Sequence, residues 1–285
     1  MKNVANVVKY IMIFLLAVSI IGIVMLNLVS TSLLKEQYVV SKLEETNYYE
    51  KLKQEIEDSF ENYIGQSGLD ETVIHNIISV EKVKQDTKTI LDNIYFGENK
   101  TVDATELETN LRKNISESLQ NRKLTITGQK AVDEYVNKIT SEYKQTLTHT
   151  KYETQIHQVM KKVNQGVDIL QKVVLIVLGV SIILILVLNA KQIAKSITHI
   201  GIALTTSGGF FTLLGMYITS KIKIENIVVQ TEAISNVIKA IMNDIVNTIH
   251  QYGYLLLAIG IILIVVGNLV VYVKKKQKSK VNQVN

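Results

Sequence analysis

The sequence predicts an all-α integral membrane protein: four transmembrane helices, with an extracytoplasmic helical bundle domain inserted between helices 1 and 2. Four stretches without charged residues are each long enough to cross ~30 Å of hydrocarbon at ~1.5 Å per residue. The 285 residues include no Pro, the usual helix breaker. All 26 acidic residues lie in 31–171 and 221–250, and only Lys carries charge elsewhere. This distribution predicts which segments face the cytoplasm.

The first predicted transmembrane helix covers residues 10–30 and follows a cytoplasmic N-terminus, residues 1–9, that carries Lys2 and Lys9. An alternative is a cleaved signal peptide, with Ser30 and Ser32 near its cleavage site. The apolar core of the segment is longer than the roughly 7–15 residues typical of signal peptides. The length therefore favours an uncleaved membrane anchor.

Residues 31–171 form the predicted extracytoplasmic domain, and their apolar residues recur with helical periodicity. Leu52, Ile56 and Phe60 share one helix face, and Gly65 is the expected stop of that helix. Further helices are predicted at 69–78, at 83–94 with Gly97 as its stop, from 103 to 119, and from about 127 onward. Asp103 and Glu106 together predict a capping box at the start of the fourth helix.

The absence of Pro suggests that two helices extend beyond the membrane. The first is expected to continue from the first span to about residue 64. The second is expected to run from about residue 128 to residue 190, which is on the order of 90 Å. Together they would form an antiparallel stalk that carries the shorter helices at its outer end.

The rest of the chain completes the predicted topology. Its segments are transmembrane helix 2 at 172–190, a cytoplasmic turn at 191–196, transmembrane helix 3 at 197–219, an extracytoplasmic amphipathic helix at 220–251, transmembrane helix 4 at 252–273 and a basic cytoplasmic tail at 274–285. Helix 3 has the weakest apolar character, so a re-entrant segment is an alternative. A full crossing is favoured because it alone places every acid-free, Lys-bearing segment on one side, with both termini in the cytoplasm.

Small residues recur every three to seven positions in the third and fourth spans. Such rows let helix backbones approach closely in lipid, where the hydrophobic effect does not drive association. The candidate helix-packing residues are Gly201, Thr205, Gly208, Thr212, Gly215, Gly253, Gly260 and Gly267. They are expected to pack helices 3 and 4 against each other or across an oligomer interface. An alternative is a pore lined by Thr205, Thr206, Ser207 and Thr212.

The sequence offers no candidate for catalysis, for a cofactor or for a metal ion. The chain has no Cys, and none of its five His residues has another His three or four positions away. No nucleotide-binding or nucleophile motif occurs. The core of each span lacks charged residues, which argues against an ion-coupled transporter. The net charge of +5 reflects topology, so no nucleic-acid partner is expected.

These patterns predict a multi-pass membrane protein that acts non-enzymatically through its extracytoplasmic helical domain, as an accessory, sensor or assembly subunit. Its expected partners are the lipid bilayer and another membrane or extracytoplasmic protein, or a second copy of itself. The alternative is an oligomeric channel or permease component. The Lys-, Ile- and Asn-rich composition suggests a bacterial cell membrane.

Overall fold

The computed structural model describes residues 2–64, 71–121, 129–147, 150–229 and 231–284, which contain helices and no β-strand. The all-α prediction is confirmed for these residues. Four stretches are long and apolar enough to cross a membrane: Asn6–Thr31, Gln129–Leu188, Ala190–Lys221 and Glu232–Gln277. The third is the least apolar of the four, as its Gly, Ser and Thr content predicts.

The chain divides into two compact units. The apolar unit comprises Met1–Leu33, Asn164–Asn226 and Ile241–Asn285. The polar unit comprises Leu34–Val163 and Ile227–Ala240.

Two apolar clusters form the core of the apolar unit. Its helices are α1 (Lys2–Thr31), the second part of α7 (Thr150–Leu188), α8 (Ile193–Lys221) and most of α9 (Glu232–Val284). The first cluster joins α1, α7 and α8 through Ile13, Leu16, Ala17, Ile185 and Ala203. The second joins α1, α8 and α9 through Leu28, Phe211 and Ile249. Most other large apolar side chains of these helices are exposed, as lipid-facing residues would be.

The predicted continuous helix from the first span to residue 64 is wrong. Helix α1 ends at Thr31, and Lys35 adopts an extended conformation before the next helix. The hydroxyls of Thr31 and Ser32 donate to the carbonyls of Asn27 (2.8 Å) and Leu28 (2.5 Å). Such side-chain bonds to the backbone compete with continuation of the helix. These polar side chains therefore explain why the helix ends here although the chain has no Pro.

A second interruption separates α2 (Glu36–Glu45) from α3 (Tyr48–Ile64). Thr46 donates its hydroxyl to the carbonyl of Lys42 at 2.8 Å. Asn47 then adopts a left-handed conformation, with φ of 52°. Asn tolerates this region better than most residues, so the chain turns here without a Gly. The predicted stop at Gly65 lies outside the described residues.

The helix predicted at 69–78 is also corrected. Residues 65–70 lie outside the described part of the chain, and the segment that follows contains a single 3₁₀ turn at Glu71–Val73 and then irregular turns. Its apolar side chains are nevertheless almost completely buried in the polar unit. They belong to Val73, Ile74, Ile77 and Ile78. The apolar pattern therefore predicted core positions correctly and the secondary structure incorrectly.

Helix α4 (Val80–Phe96) confirms the next predicted helix, and Gly97 ends it in a left-handed conformation with φ of 71°. Helix α5 (Thr105–Asn121) begins two residues after Asp103, whose carboxylate accepts from the Thr105 amide at 3.0 Å. The predicted capping box does not form, because Glu106 instead accepts a hydrogen bond from Ser79. Asp103 therefore caps the helix alone.

The predicted long helix from about 128 to 190 is described as α6 (Gln129–Leu147) and α7. Residues 128 and 148–149 lie outside the described part of the chain, so its continuity remains a prediction. The segment predicted as one helix at 220–251 is instead irregular over 222–229, apart from a 3₁₀ turn at Ile224–Asn226, and residue 230 lies outside the described part of the chain. Helix begins again at Glu232 and continues through the predicted fourth span as the 53-residue α9.

Candidate functional site

The small-residue rows of α8 and α9 meet in the apolar unit, and this contact is called the seam below. A Cβ atom added at Gly201 would lie 2.8 Å from the Gly260 carbonyl oxygen. One added at Gly208 would lie 2.5 Å from the Leu257 amide nitrogen and 2.9 Å from the Gly253 carbonyl oxygen. Because ordinary contacts of a Cβ lie at 3.4–4 Å, the two helix backbones are closer than any side chain would allow.

Threonines of α8 oppose the glycines of α9. A Cβ at Gly253 would lie 2.7 Å from Thr212 Oγ1, and one at Gly260 would lie 2.5 Å from the Thr205 amide nitrogen. Gly267 would meet Thr198 in the same way. Extending the spacing of seven from Thr212 through Thr205 would have found Thr198, which the sequence analysis missed.

The hydroxyls of the candidate pore point in different directions within one chain. Those of Thr205 and Thr212 donate to the carbonyls four residues earlier, each at 2.9 Å, and lie against α9. That of Ser207 donates to the Ala17 carbonyl of α1 at 3.0 Å. Thr206 is exposed. The four residues therefore do not surround a common channel in the single chain.

Ser207 has a structural role that the sequence analysis did not identify. Its side chain is completely buried, and its hydroxyl also lies 2.9 Å from the Ala203 carbonyl. The bond to Ala17 connects helices that are far apart in sequence. In an apolar environment such a contact contributes roughly 1 kcal/mol. It fixes α8 against α1 on the side away from the glycine seam.

An aromatic ring occupies one end of the seam. A Cβ at Gly215 would lie 2.7 Å from the His250 ring, and that ring stacks on Tyr254 with centroids 5.9 Å apart. His250 Nδ1 is buried and has no hydrogen-bond partner among the described residues. Gly215 thus provides space for an imidazole, whereas Gly201 and Gly208 provide space for backbone.

The polar unit contains a buried charged network between α4 and α6. Asp86 is 2% exposed; one carboxylate oxygen accepts from Lys82 Nζ and the other from the Tyr143 hydroxyl, each at 2.5 Å. Burial and the hydrogen bond to Asp86 raise the pKa of Tyr143 above its usual value. The phenol thus stays protonated and remains a donor. This arrangement is structural, because all three groups are buried and mutually satisfied.

Two acidic side chains of α3, Glu55 and Glu57, form contacts within the polar unit. Glu55 accepts from the Ala233 amide at 2.9 Å, and Glu57 pairs with Lys53 at 2.7 Å. His157 lies 3.0 Å from the Ile94 carbonyl oxygen. Within the described ranges, no group of three His, Asp or Glu side chains is arranged to hold a metal ion.

Comparisons with known proteins give no match to any family model, curated protein or solved structure.

Proposed function

We propose that the chain is a multi-pass protein of a bacterial cell membrane, with both termini in the cytoplasm and the polar unit outside. The acid-free, Lys-bearing segments support this orientation. Exposed tyrosines on α9 support the placement, since Tyr254 and Tyr272 lie 18 residues apart, about 27 Å along the helix. Tyr rings favour the two membrane–water interfaces, which lie about 30 Å apart across the hydrocarbon.

The third span is proposed as a full crossing. Helix α8 is an uninterrupted helix of 29 residues, about 43 Å long. A re-entrant segment would need to reverse within the membrane, and α8 contains no break at which to do so. Exposed Tyr217 near its end provides a further interfacial ring.

Within this placement, the protein acts non-enzymatically as an accessory, sensor or assembly subunit that binds another protein through its polar unit. One observation carries this proposal. Ile156, Val159 and Val163 lie on one face of α7 within the polar unit, and they are 42%, 60% and 41% exposed. Outside the membrane a row of exposed large apolar side chains is costly, and it marks surfaces that bind other proteins.

The partner is expected to present an apolar helix, since residues spaced by three and four match another helix face. Exposed Phe96, which precedes Gly97, adds a large apolar side chain near the same helix. His157 lies on α7, and a Cβ atom added at Gly97 would lie 2.8 Å from its imidazole ring. This contact places the end of α4 beside α7.

The chain has no Cys, so a single introduced thiol reports one position. Val159→Cys lies in the apolar row, and Thr154→Cys lies on the opposite, exposed face of α7 as its matched control. Crosslinking in intact cells is expected to capture a second protein at position 159 and not at position 154. Equal capture at both positions, or none at either, would refute the proposed surface.

The same thiols test the orientation. A membrane-impermeant maleimide is expected to label Thr154→Cys in intact cells, and Lys275→Cys only after permeabilisation. The reverse pattern would refute the topology. If only self-adducts formed at Val159, the partner would be a second copy of this chain.

The alternative, an oligomeric channel or permease component, needs the glycine faces for contacts between copies. In a single chain, α9 already packs against Gly208, and α8 already packs against Gly253. This occupancy favours the accessory function. Ion flux through the purified protein in vesicles that is abolished by Gly208→Leu would favour the channel instead.

A further inference from the structure

A cavity of about 350 Å³ lies at the turn between α7 and α8, in the apolar unit. It is lined by Lys9 of α1, by residues 187–192 from the end of α7 through the turn, and by Lys195 of α8. In the proposed topology this turn lies at the cytoplasmic face of the membrane.

The wall of the cavity is fixed by hydrogen bonds within the turn. The Ile185 carbonyl accepts from the Asn189 amide (3.2 Å), from Asn189 Nδ2 (2.8 Å) and from the Ser196 hydroxyl (3.2 Å). The Gln192 amide donates to the Asn189 carbonyl at 2.7 Å. Asn189 and Ser196 are both buried. The turn therefore holds its lining residues in place without a ligand.

The charge of the cavity has one sign. Lys9, Lys191 and Lys195 contribute three ammonium groups, and none forms an ion pair within the described parts of the chain. The start of α8 adds to this charge, because Gln192 provides no side-chain cap and the first amides of a helix carry partial positive charge. A cavity of this size and sign favours an anion.

Part of the rim of the cavity is apolar. Val187 lines it and is exposed, and the neighbouring Ile193 is exposed as well. Cations beside exposed hydrocarbon match a phosphate group that is attached to an acyl chain, and basic pockets between helix ends at the cytoplasmic face bind such headgroups.

We propose that this cavity binds a phosphate group, with the headgroup of an anionic phospholipid as the source favoured by its apolar rim. Lys191 and Lys195 contact the phosphate oxygens from the turn and from the first turn of α8, and Lys9 completes the site from α1. The proposal rests on the proposed membrane placement and does not depend on a protein partner.

The test compares two double variants of the full chain in mild detergent, with bound phosphatidylglycerol counted by native mass spectrometry. Lys191→Gln with Lys195→Gln removes two charges from the cavity. Lys221→Gln with Lys223→Gln removes two from the opposite end of α8 as a matched control. Because each Lys near an anionic headgroup is worth about fivefold in affinity, the first pair is expected to lose roughly 30-fold and the control to lose little.

Equal loss in both variants, or loss in neither, would overturn the proposal. Phosphatidylcholine, which has no net charge, is expected to bind both variants alike. Excess inorganic phosphate distinguishes the two sources: displacement of phosphatidylglycerol identifies the phosphate as the recognised group, whereas no displacement assigns the site to the intact lipid.

Resistance to extraction of cell membranes by alkaline carbonate separates the two possible failures. A chain that is extracted would refute the membrane placement. A chain that resists extraction but binds phosphatidylglycerol equally in all variants would refute the phosphate site alone.

Discussion

Adding one methyl group at Gly208 tests the seam most directly. The new Cβ would lie 2.5 Å from the Leu257 amide nitrogen, and ordinary contacts begin at 3.4 Å. Helix α9 must therefore retreat by about 0.9 Å, the difference between these distances. A gap of 0.5–1 Å removes roughly a quarter to a half of the dispersion attraction of each facing pair. Overpacking of this kind costs about 1–3 kcal/mol.

Gly209→Ala is the matched control. It lies one residue further along α8, and a Cβ there would meet nothing within 4 Å. Replacing Gly by Ala changes helix propensity equally at both positions, so the difference between the variants isolates the contact with α9. A third variant, Gly253→Ala, probes the same contact from α9, where the Thr212 amide nitrogen would lie 2.9 Å away.

The assay uses the absence of Cys in the chain. An Ile249→Cys background places one thiol in the cluster with Phe211, where position 249 is 3% exposed. Maleimide labels this thiol when α8 and α9 separate. Gly208→Ala is expected to speed labelling by about 5- to 150-fold relative to Gly209→Ala, which corresponds to about 1–3 kcal/mol. Equal rates in the two variants would refute the close contact.

Three further predictions concern the polar unit, and thermal unfolding of the full chain in detergent, measured as a function of pH, tests all of them. Tyr143→Phe leaves a buried Asp86 oxygen without its donor and is expected to cost about 1–3 kcal/mol. Tyr63→Phe is expected to cost less, because the bond from Tyr63 to Glu142 is less buried. Because the folded pKa of Tyr143 is raised above its usual 10.0, its contribution is fully present below pH 10 and is lost as the pH rises further, so Tyr143→Phe is expected to weaken the alkaline transition. Equal effects of the two variants would contradict this network. Gly97→Ala is expected to destabilise by about 1–3 kcal/mol because φ is 71° and its Cβ would contact the neighbouring imidazole; an unchanged midpoint would contradict that strain.

The sequence predicted the features that depend on periodicity. Apolar length identified the helices long enough to span a membrane, and small-residue spacing identified the glycines that the structure brings to the seam. Both patterns repeat along one helix and need no knowledge of the rest of the chain. The spacing of the residues is therefore enough to predict that the apolar stretches can span a membrane and that the rows of small residues form a helix contact.

The helix interruptions and the buried contacts were not predicted, for a physical reason. Thr46 and Asn47 permit a helix to end but do not require it, so the pattern alone favoured continuity. Lys82 and Asp86 are visible as a pair four residues apart, but Tyr143 reaches Asp86 from 57 residues away. The basic cavity likewise depends on packing that brings Lys9 to residues 187–195, far later in the sequence.

The spacing of seven in the seam has a consequence for alignment. If α9 slid along α8 by seven residues, about 10.5 Å, Gly208 would face Gly260 and the glycines would interlock again. The repeating part of the contact therefore stabilises several alignments almost equally. Only the positions that break the repeat select one of these alignments. His250 is such a position, because the slide would move its ring from Gly215 to Ile222, where no glycine leaves room for it. The least regular contact of the interface thus determines where all the regular ones are made.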